Sequence, residues 1–288
     1  MSTALFRLLV PGEEHTEQDQ GGEQDADDHR AVTGTLLLRS TVVWSWLRSG
    51  HPLRLASASL PYRESNLNLL TTGALMAVRV DLNISLDGFA TTTDQTAENP
   101  FGEDWGRLVG AYVATKTFRE RVLHDTSGAG TTGVDDAYAQ TYFAEVGSEI
   151  MGAGMFGLHT FPDDLDWKGW WGDEPPFRIP VFVLTNTPRP PIEFDNGTSF
   201  HFLAASPQEA LDRALEAAGG GDVRIGGGPT VVRDYLRAGL VDQLHVAIAP
   251  ILLGRGDRLW DDLRGLEAEY EVKAETAESG TVHFTFRR

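Results

Sequence analysis

Asp222-Val223-Arg224-Ile225-Gly226-Gly227-Gly228-Pro229-Thr230 is the stretch that decides how the chain is read. It is a short strand, three glycines, and a proline that opens a helix. Proline suits the first helical turn because its missing N–H has no partner there. Glycines let the backbone turn tightly and approach a bulky ligand. A helix start offers free N–H groups and the positive end of a dipole, which suits a phosphate. The residues alone leave two readings open: a phosphate cradle for a dinucleotide, and a tight strand-to-helix turn with no ligand.

Strands and helices alternate on both sides of this stretch. Upstream, Glu149-Ile150-Met151 reads as a short buried strand that leaves through Gly152-Ala153-Gly154. Val181-Phe182-Val183-Leu184 is an apolar strand of the buried type and ends in Thr185-Asn186-Thr187-Pro188-Arg189. A strand over 199–203 precedes Ser206-Pro207-Gln208-Glu209, a capping box with proline at the first helical position. Downstream, Val231, Val232, Tyr235 and Leu236 line a helix that stops at Gly239. Leu244, Val246 and Ile248 then alternate with His245, Ala247 and Ala249 in a long strand. Residues 270–273 and 281–286 close the chain as an antiparallel pair.

Nearer the start, Val78-Arg79-Val80-Asp81-Leu82-Asn83-Ile84 alternates apolar and polar, a period-two strand signal. It runs into Ser85-Leu86-Asp87-Gly88-Phe89, whose Asp-Gly marks a turn. Residues 107–122 read as partly helical. A helix is expected over 134–146, with Asp135 and Asp136 in its first turn, where carboxylates favour the dipole, and Gly147 as its stop. The alternation of strand and helix argues an α/β fold with a mostly parallel sheet, made mixed by the last two strands. Residues 76–288 read as one domain.

Composition narrows the partners. A net charge of −18 argues against nucleic acid and anionic membranes held through a basic field. The chain has no cysteine, which removes disulfides, thiolate metal sites and cysteine nucleophiles, and fits a cytoplasmic protein. Residues 1–75 differ from the rest. An acidic, polar run over 13–28 is expected to be disordered. The more apolar segment over 35–47 is interrupted by charge well short of the ~20 residues that span a bilayer, and the acidic run before it does not suit a signal peptide. Met76 stands just before the first strand, so residues 1–75 are expected to be a disordered extension or to be absent from the native protein, the competing reading being a weakly structured arm.

The chemistry converges on strand ends. Gly152 and Ala153, Thr185 and Asn186, and Gly226, Gly227, Gly228, Pro229 and Thr230 all stand where a strand gives way to a loop or helix, which is where open α/β sheets bind ligands. Two glycine exits would suit a pyrophosphate, with a hydroxyl and Arg189 for an extra phosphate. Neither glycine run fits G-x-G-x-x-G with an acidic residue about 20 positions on, so a Rossmann site is not supported. The eight histidines form no H-x-x-x-H or H-E-x-x-H pair, and no metal site is expected. His201 and His245 read as structural histidines. Asp135 and Asp136 read as helix-start charges, with an acid–base pair as the alternative. Trp167, Trp170 and Trp171 either line a pocket or pack as a lid.

Taken in order, Asn83-Ile84-Ser85-Leu86-Asp87-Gly88, Ile150-Met151-Gly152 with Met155-Phe156, Val183-Leu184-Thr185, the three glycines, and Leu240-Val241-Asp242-Gln243-Leu244 with Ala249-Pro250-Ile251-Leu252-Leu253-Gly254 resemble the dihydrofolate reductase-like family. The resemblance is to the group containing the reductase domain of the bacterial riboflavin-biosynthesis deaminase–reductase, and it covers the chain from Met76. It implies a three-layer fold, an eight-stranded mixed sheet flanked by helices, with NADPH across the strand ends. Gly152, Ala153, Gly226, Gly227, Gly228, Pro229 and Thr230 would hold the cofactor, with Thr185 and Asn186 near its 2′-phosphate. Ser85 and Asp87 would approach the nicotinamide as catalytic residues, and Asn83 and Asp136 would meet the substrate.

The implied activity is NADPH-dependent hydride transfer to a pteridine- or pyrimidine-like substrate, of the 5-amino-6-ribosylaminouracil-phosphate reductase or dihydrofolate reductase type. The alternative is a non-catalytic ligand-binding protein on the same fold. Homodimers are common in the group. Two features depart from it: Arg224-Ile225 stands where riboflavin-pathway reductases tend to carry a glutamate, and a cysteine-free chain has no deaminase signature. On this reading Gly227→Val abolishes NADPH binding and leaves the fold largely intact.

Overall fold

The structure, a computed structural model, describes residues 76–288 apart from 97, 98 and 100. The expectations for residues 1–75 lie outside the described residues. In chain order the elements are β1 (Val78–Ser85), α1 (Trp105–Leu108), α2 (Gly110–Val113), α3 (Lys116–Arg121), α4 (Val134–Phe143), β2 (Val146–Gly152), α5 (Ala153–Phe156), β3 (Pro180–Leu184), β4 (Ile192–Glu193), β5 (Ser199–Leu203), α6 (Pro207–Ala217), β6 (Asp222–Gly227), α7 (Pro229–Arg237), β7 (Gln243–Ala249), β8 (Glu271–Thr276) and β9 (Val282–Arg287).

The strands form a single sheet in the order β4-β5-β3-β2-β6-β1-β7-β9-β8. From β5 to β7 every pair is parallel. β4, β9 and β8 pair antiparallel at the two sides. Among the described residues the sheet has nine strands rather than eight, because the two-residue β4 folds back beside β5. The α/β class and the antiparallel C-terminal pair stand as the sequence implied.

The two faces of the sheet differ in chemistry. On one, α6 and α7 lay Leu211, Ala214, Val232 and Tyr235 on Val80, Ile150, Ile225, Leu244 and Val246. The capping box at the start of α6 is formed in both halves by Ser206 and Glu209. Near β3 and β5 the other face is also apolar. There Trp167 and Trp171 pack on Phe156 and Phe200, and the Trp167 indole donates to the Phe156 carbonyl, so this part of the loop is sheet cover. Arg189 is drawn into it, donating to the carbonyls of Asp164 and Trp167, and is not free for a phosphate.

Across β2, β6, β1 and β7 that same face is polar. Strand alternation puts Glu149, Arg224, Asp81 and His245 there, and α4 covers them. The helix is shorter than expected. Ala144 turns extended and Glu145 takes a positive φ of 59°, so the chain is already in β2 at Val146. Gly147 is therefore a strand residue. A Cβ on it would lie 2.1 Å from the Ala218 carbonyl oxygen, so its place is set by close approach to the end of α6.

Candidate functional site

Parallel pairing brings the carboxyl ends of β3, β2, β6, β1 and β7 to one edge of the sheet. Gly152 is in register with Leu184, Met151 with Gly227, and Ser85 with Ala249. The strand-end residues singled out in the sequence thus share an edge, although they come from distant parts of the chain.

The three glycines have different reasons to be glycine. A Cβ on Gly226 would fall 2.1 Å from Glu149 Oε1, so its absence makes room for that carboxylate. Gly227 has φ +129°, a conformation that side chains rarely adopt. Gly228, at φ −77°, has nothing within 4 Å of its Cβ position. Its openness lies at the start of α7, where no side chain caps the helix. The Gly227–Gly228 peptide is cis. Thr230 is exposed beside it, and Asn186 is exposed at the end of β3. Thr185 is held more firmly, with its N–H on the Leu203 carbonyl and its hydroxyl accepting from the Thr187 N–H. Backbone N–H groups and open space at this edge fit a phosphate-bearing cofactor.

Ser85 and Asp87 form a clamp and not a pair of free catalytic groups. The Ser85 hydroxyl donates to Asp87 Oδ1 at 2.6 Å and accepts from the Phe89 N–H. Asp87 also accepts from the N–H groups of Leu253 and Gly254, tying the β1 turn to the segment after β7. The Ser85 hydroxyl, with these two N–H groups, holds the Asp87 carboxyl down at about 2. Such a group does not donate a proton near neutral pH.

A cavity lies beside this edge, between α4, α2 and strands β1, β7 and β9. Asn83, Tyr112, Asp135, Tyr138, His245 and His283 are among its walls. Its enclosed part is about 20 Å³, room for one water, and out to its mouth it holds about 360 Å³. Asn83, expected to meet the substrate, lines this cavity. Asp136 does not. Its Oδ1 accepts from the Thr117 N–H and its Oδ2 from Gln140, so it fastens α4 to the start of α3. Burial opposes its charge, but those two donors outweigh it and hold the carboxyl below the ordinary range. The carboxylate of α4 that reaches the cavity is Asp135.

Two constellations here were missed in the sequence. Glu149 and Arg224 form a fully buried ion pair, with the guanidinium 4.0 Å from the Tyr142 ring centre. Burial raises the Glu149 carboxyl even against the pull of Arg224. Secondly, His245 and His283 join in an unbroken line with Asp81 and Asp135. Burial also works against the charge on Asp81, but His245, then Arg79 and Arg224, hold its carboxyl below the ordinary range. Both constellations were signalled by polar residues alternating along strands too central to be solvent-facing.

Residues 76–283 match the RibD C-terminal domain family. The chain belongs to that family. This is the group the ordered motifs resembled. Among solved structures, a protein of Shewanella sp. PV-4 assigned to riboflavin biosynthesis shares 21% identity over 74% of this chain and 99% of its own, with a TM-score of 0.46. A Thermotoga maritima diaminohydroxyphosphoribosylaminopyrimidine deaminase/5-amino-6-(5-phosphoribosylamino)uracil reductase shares 13% over 74% of this chain and 56% of its own, with a TM-score of 0.43. Dihydrofolate reductase from Enterococcus faecalis, complexed with NADP(H), shares 11% over 74% and 96%, with a TM-score of 0.38. No curated protein matches the chain. Among the described residues no helix is long and apolar enough to cross a membrane, and no group of three or more His, Asp or Glu could hold a metal ion.

Proposed function

We propose that this chain is an NADPH-dependent reductase of a small pteridine- or pyrimidine-like substrate. The observation that carries the reading is the open Cβ position of Gly228 at an uncapped helix start, one strand away from the cavity under α4. Membership of the RibD C-terminal domain family supports it. Gly152, Ala153, Gly226, Gly227, Gly228, Pro229 and Thr230 would hold the cofactor through backbone N–H groups and close approach, with Thr185 and Asn186 toward its 2′-phosphate. A bound nicotinamide supplies hydride. Asn83 and Asp135 face the substrate, and the protein orients it and excludes water.

Tryptophan fluorescence on NADPH titration tests the cofactor half of the reading. No binding up to about millimolar NADPH, an affinity of only about −4 kcal/mol, would overturn it. Binding without NADPH oxidation by any pterin or pyrimidine would instead favour a non-catalytic binding protein on the same fold.

A further inference from the structure

Four ionisable side chains from four elements meet under α4. Asp81 Oδ1 lies 3.1 Å from His245 Nδ1, His245 Nε2 lies 2.9 Å from His283 Nδ1, and His283 Nε2 lies 2.9 Å from Asp135 Oδ1. The Tyr138 ring stacks on both imidazoles, at 4.4 Å and 4.1 Å and nearly parallel. Asp81, Asp135 and His283 are all buried.

A proton count follows from these contacts. Three hydrogen bonds need three protons. Two ionised carboxylates bring none, and two neutral imidazoles bring one each. With only two protons, one of the three contacts would set two acceptors face to face: a bare ring nitrogen against a carboxylate oxygen at either end, or two bare ring nitrogens in the middle. One further proton satisfies all three contacts, and it can sit on either ring by moving along the His–His bond.

We propose that Asp81, His245, His283 and Asp135 form a proton store, holding one proton more than two neutral imidazoles carry, with Asp135 as its end at the cavity. The charges around it suit a single excess proton. Asp81 and Asp135 flank it, Glu275 on β8 approaches through the Tyr138 hydroxyl, and Glu149 lies beyond. Arg79 and Arg224 stand on the Asp81 side, with the half-buried Tyr112 and Tyr142 beside them. Burial, and then the charge on His245, push His283 below the ordinary imidazole range, while Asp135 pulls the other way. A fourth proton would set two ring N–H donors against each other across the 2.9 Å His–His contact, so the geometry accommodates one excess proton and not two.

Only the use of the proton rests on the reductase reading. Reducing a C=N bond adds hydride to carbon and a proton to nitrogen. The Asp135 carboxylate first takes a proton at Oδ1 from His283 Nε2 and then passes that proton to the substrate nitrogen. The proton between the rings passes to His283 Nδ1. Two neutral rings remain until solvent returns a proton. Asp81, His245 and His283 are positioning residues in this scheme, and Asp135 is the group that touches substrate.

Ring-nitrogen NMR of the ¹⁵N-labelled full chain tests the store, with His245→Gln and His283→Gln to assign the two rings. One proton beyond two neutral imidazoles, on one ring or shared between the two, is expected near about pH 7, and two neutral rings would overturn the proposal. In the pH profile of kcat, His245→Gln should lose roughly tenfold on the alkaline side with NADPH affinity unchanged. An unchanged profile overturns delivery through the line. Failure of the unaltered chain to bind NADPH overturns the reductase reading and delivery together, while the ring signals decide the store independently.

Discussion

Arg224 on β6 and Glu149 on β2 face each other in register, and the guanidinium makes both its contacts with Glu149 through one carboxylate oxygen, while Nη1 donates to the Tyr142 carbonyl. Nε donates to Oε2 at 3.0 Å, and Nη2 donates to the same atom. Oε1 is buried with no partner among the described residues. Breaking a buried pair from one side strands a charge, at a cost of about 3–5 kcal/mol, whereas replacing both partners with apolar groups is often neutral. Arg224→Met should therefore destabilise by about that amount, and Arg224→Met with Glu149→Leu should recover most of it. Urea unfolding of the two single variants and the double variant measures this. Single variants that cost under about 1 kcal/mol would show a pair no stronger than one at the surface.

The glycine run separates folding from binding. Gly228→Ala should leave the unfolding midpoint unchanged, since its Cβ meets nothing within 4 Å, and should weaken NADPH binding by filling the cradle. Gly226→Ala drives a Cβ to 2.1 Å from Glu149 Oε1 and should cost about 1–3 kcal/mol of stability. Gly227→Val does not serve as the clean binding test expected from the sequence, because its φ of +129° makes any side chain there strained. Thermal unfolding and NADPH titration on Gly226→Ala and Gly228→Ala decide the matter. Unaltered affinity in Gly228→Ala removes the cradle.

The alternation of β1 was legible in the sequence, but its meaning was not. Val-Arg-Val-Asp-Leu-Asn-Ile-Ser announces a strand with one wet face. β1 instead lies between β6 and β7, in a parallel arrangement whose faces are covered and whose strands usually read as apolar runs. Arg79, Asp81 and Asn83 therefore point under a helix, and alternation in so central a strand is the mark of a polar site. His283 and Asp135 lie 148 positions apart, and no spacing rule joins them. The glycine run was legible as a strand-to-helix turn, but only Gly227 is selected by local backbone conformation; Gly226 answers to Glu149, far away in sequence. Asp135 and Asp136 were not separable, since one step along a helix changes the face by about 100°, and only packing shows which one the cavity takes.

Asp87 makes stability depend on acidity. Its carboxyl is held down at about 2, against about 3.9 for an unperturbed aspartate. A lowered folded-state value stabilises the protein above the unfolded value, and that contribution is lost as pH falls through the folded one. The stability gap between the native chain and Asp87→Asn should be full above about pH 4 and close toward about pH 2. Denaturant unfolding at stepped pH reads the gap. A gap constant across that range would mean that the clamp does not depend on the charge of Asp87.

Tyr235 is the largest fully buried side chain, and its hydroxyl has no partner among the described residues. It sits on α7 against the apolar face of the sheet. Burial alone pushes its phenol well above the ordinary range. A buried polar atom without a hydrogen bond costs about 1–3 kcal/mol, and removing it spares that cost while the ring keeps its packing. Tyr235→Phe should therefore be at least as stable as the native chain, by up to about 1–2 kcal/mol, with NADPH affinity unchanged, since the hydroxyl lies on the face of the sheet away from the cavity. A loss of stability in urea unfolding would mean that the hydroxyl is satisfied in solution by an ordered water, and that α7 is anchored through it.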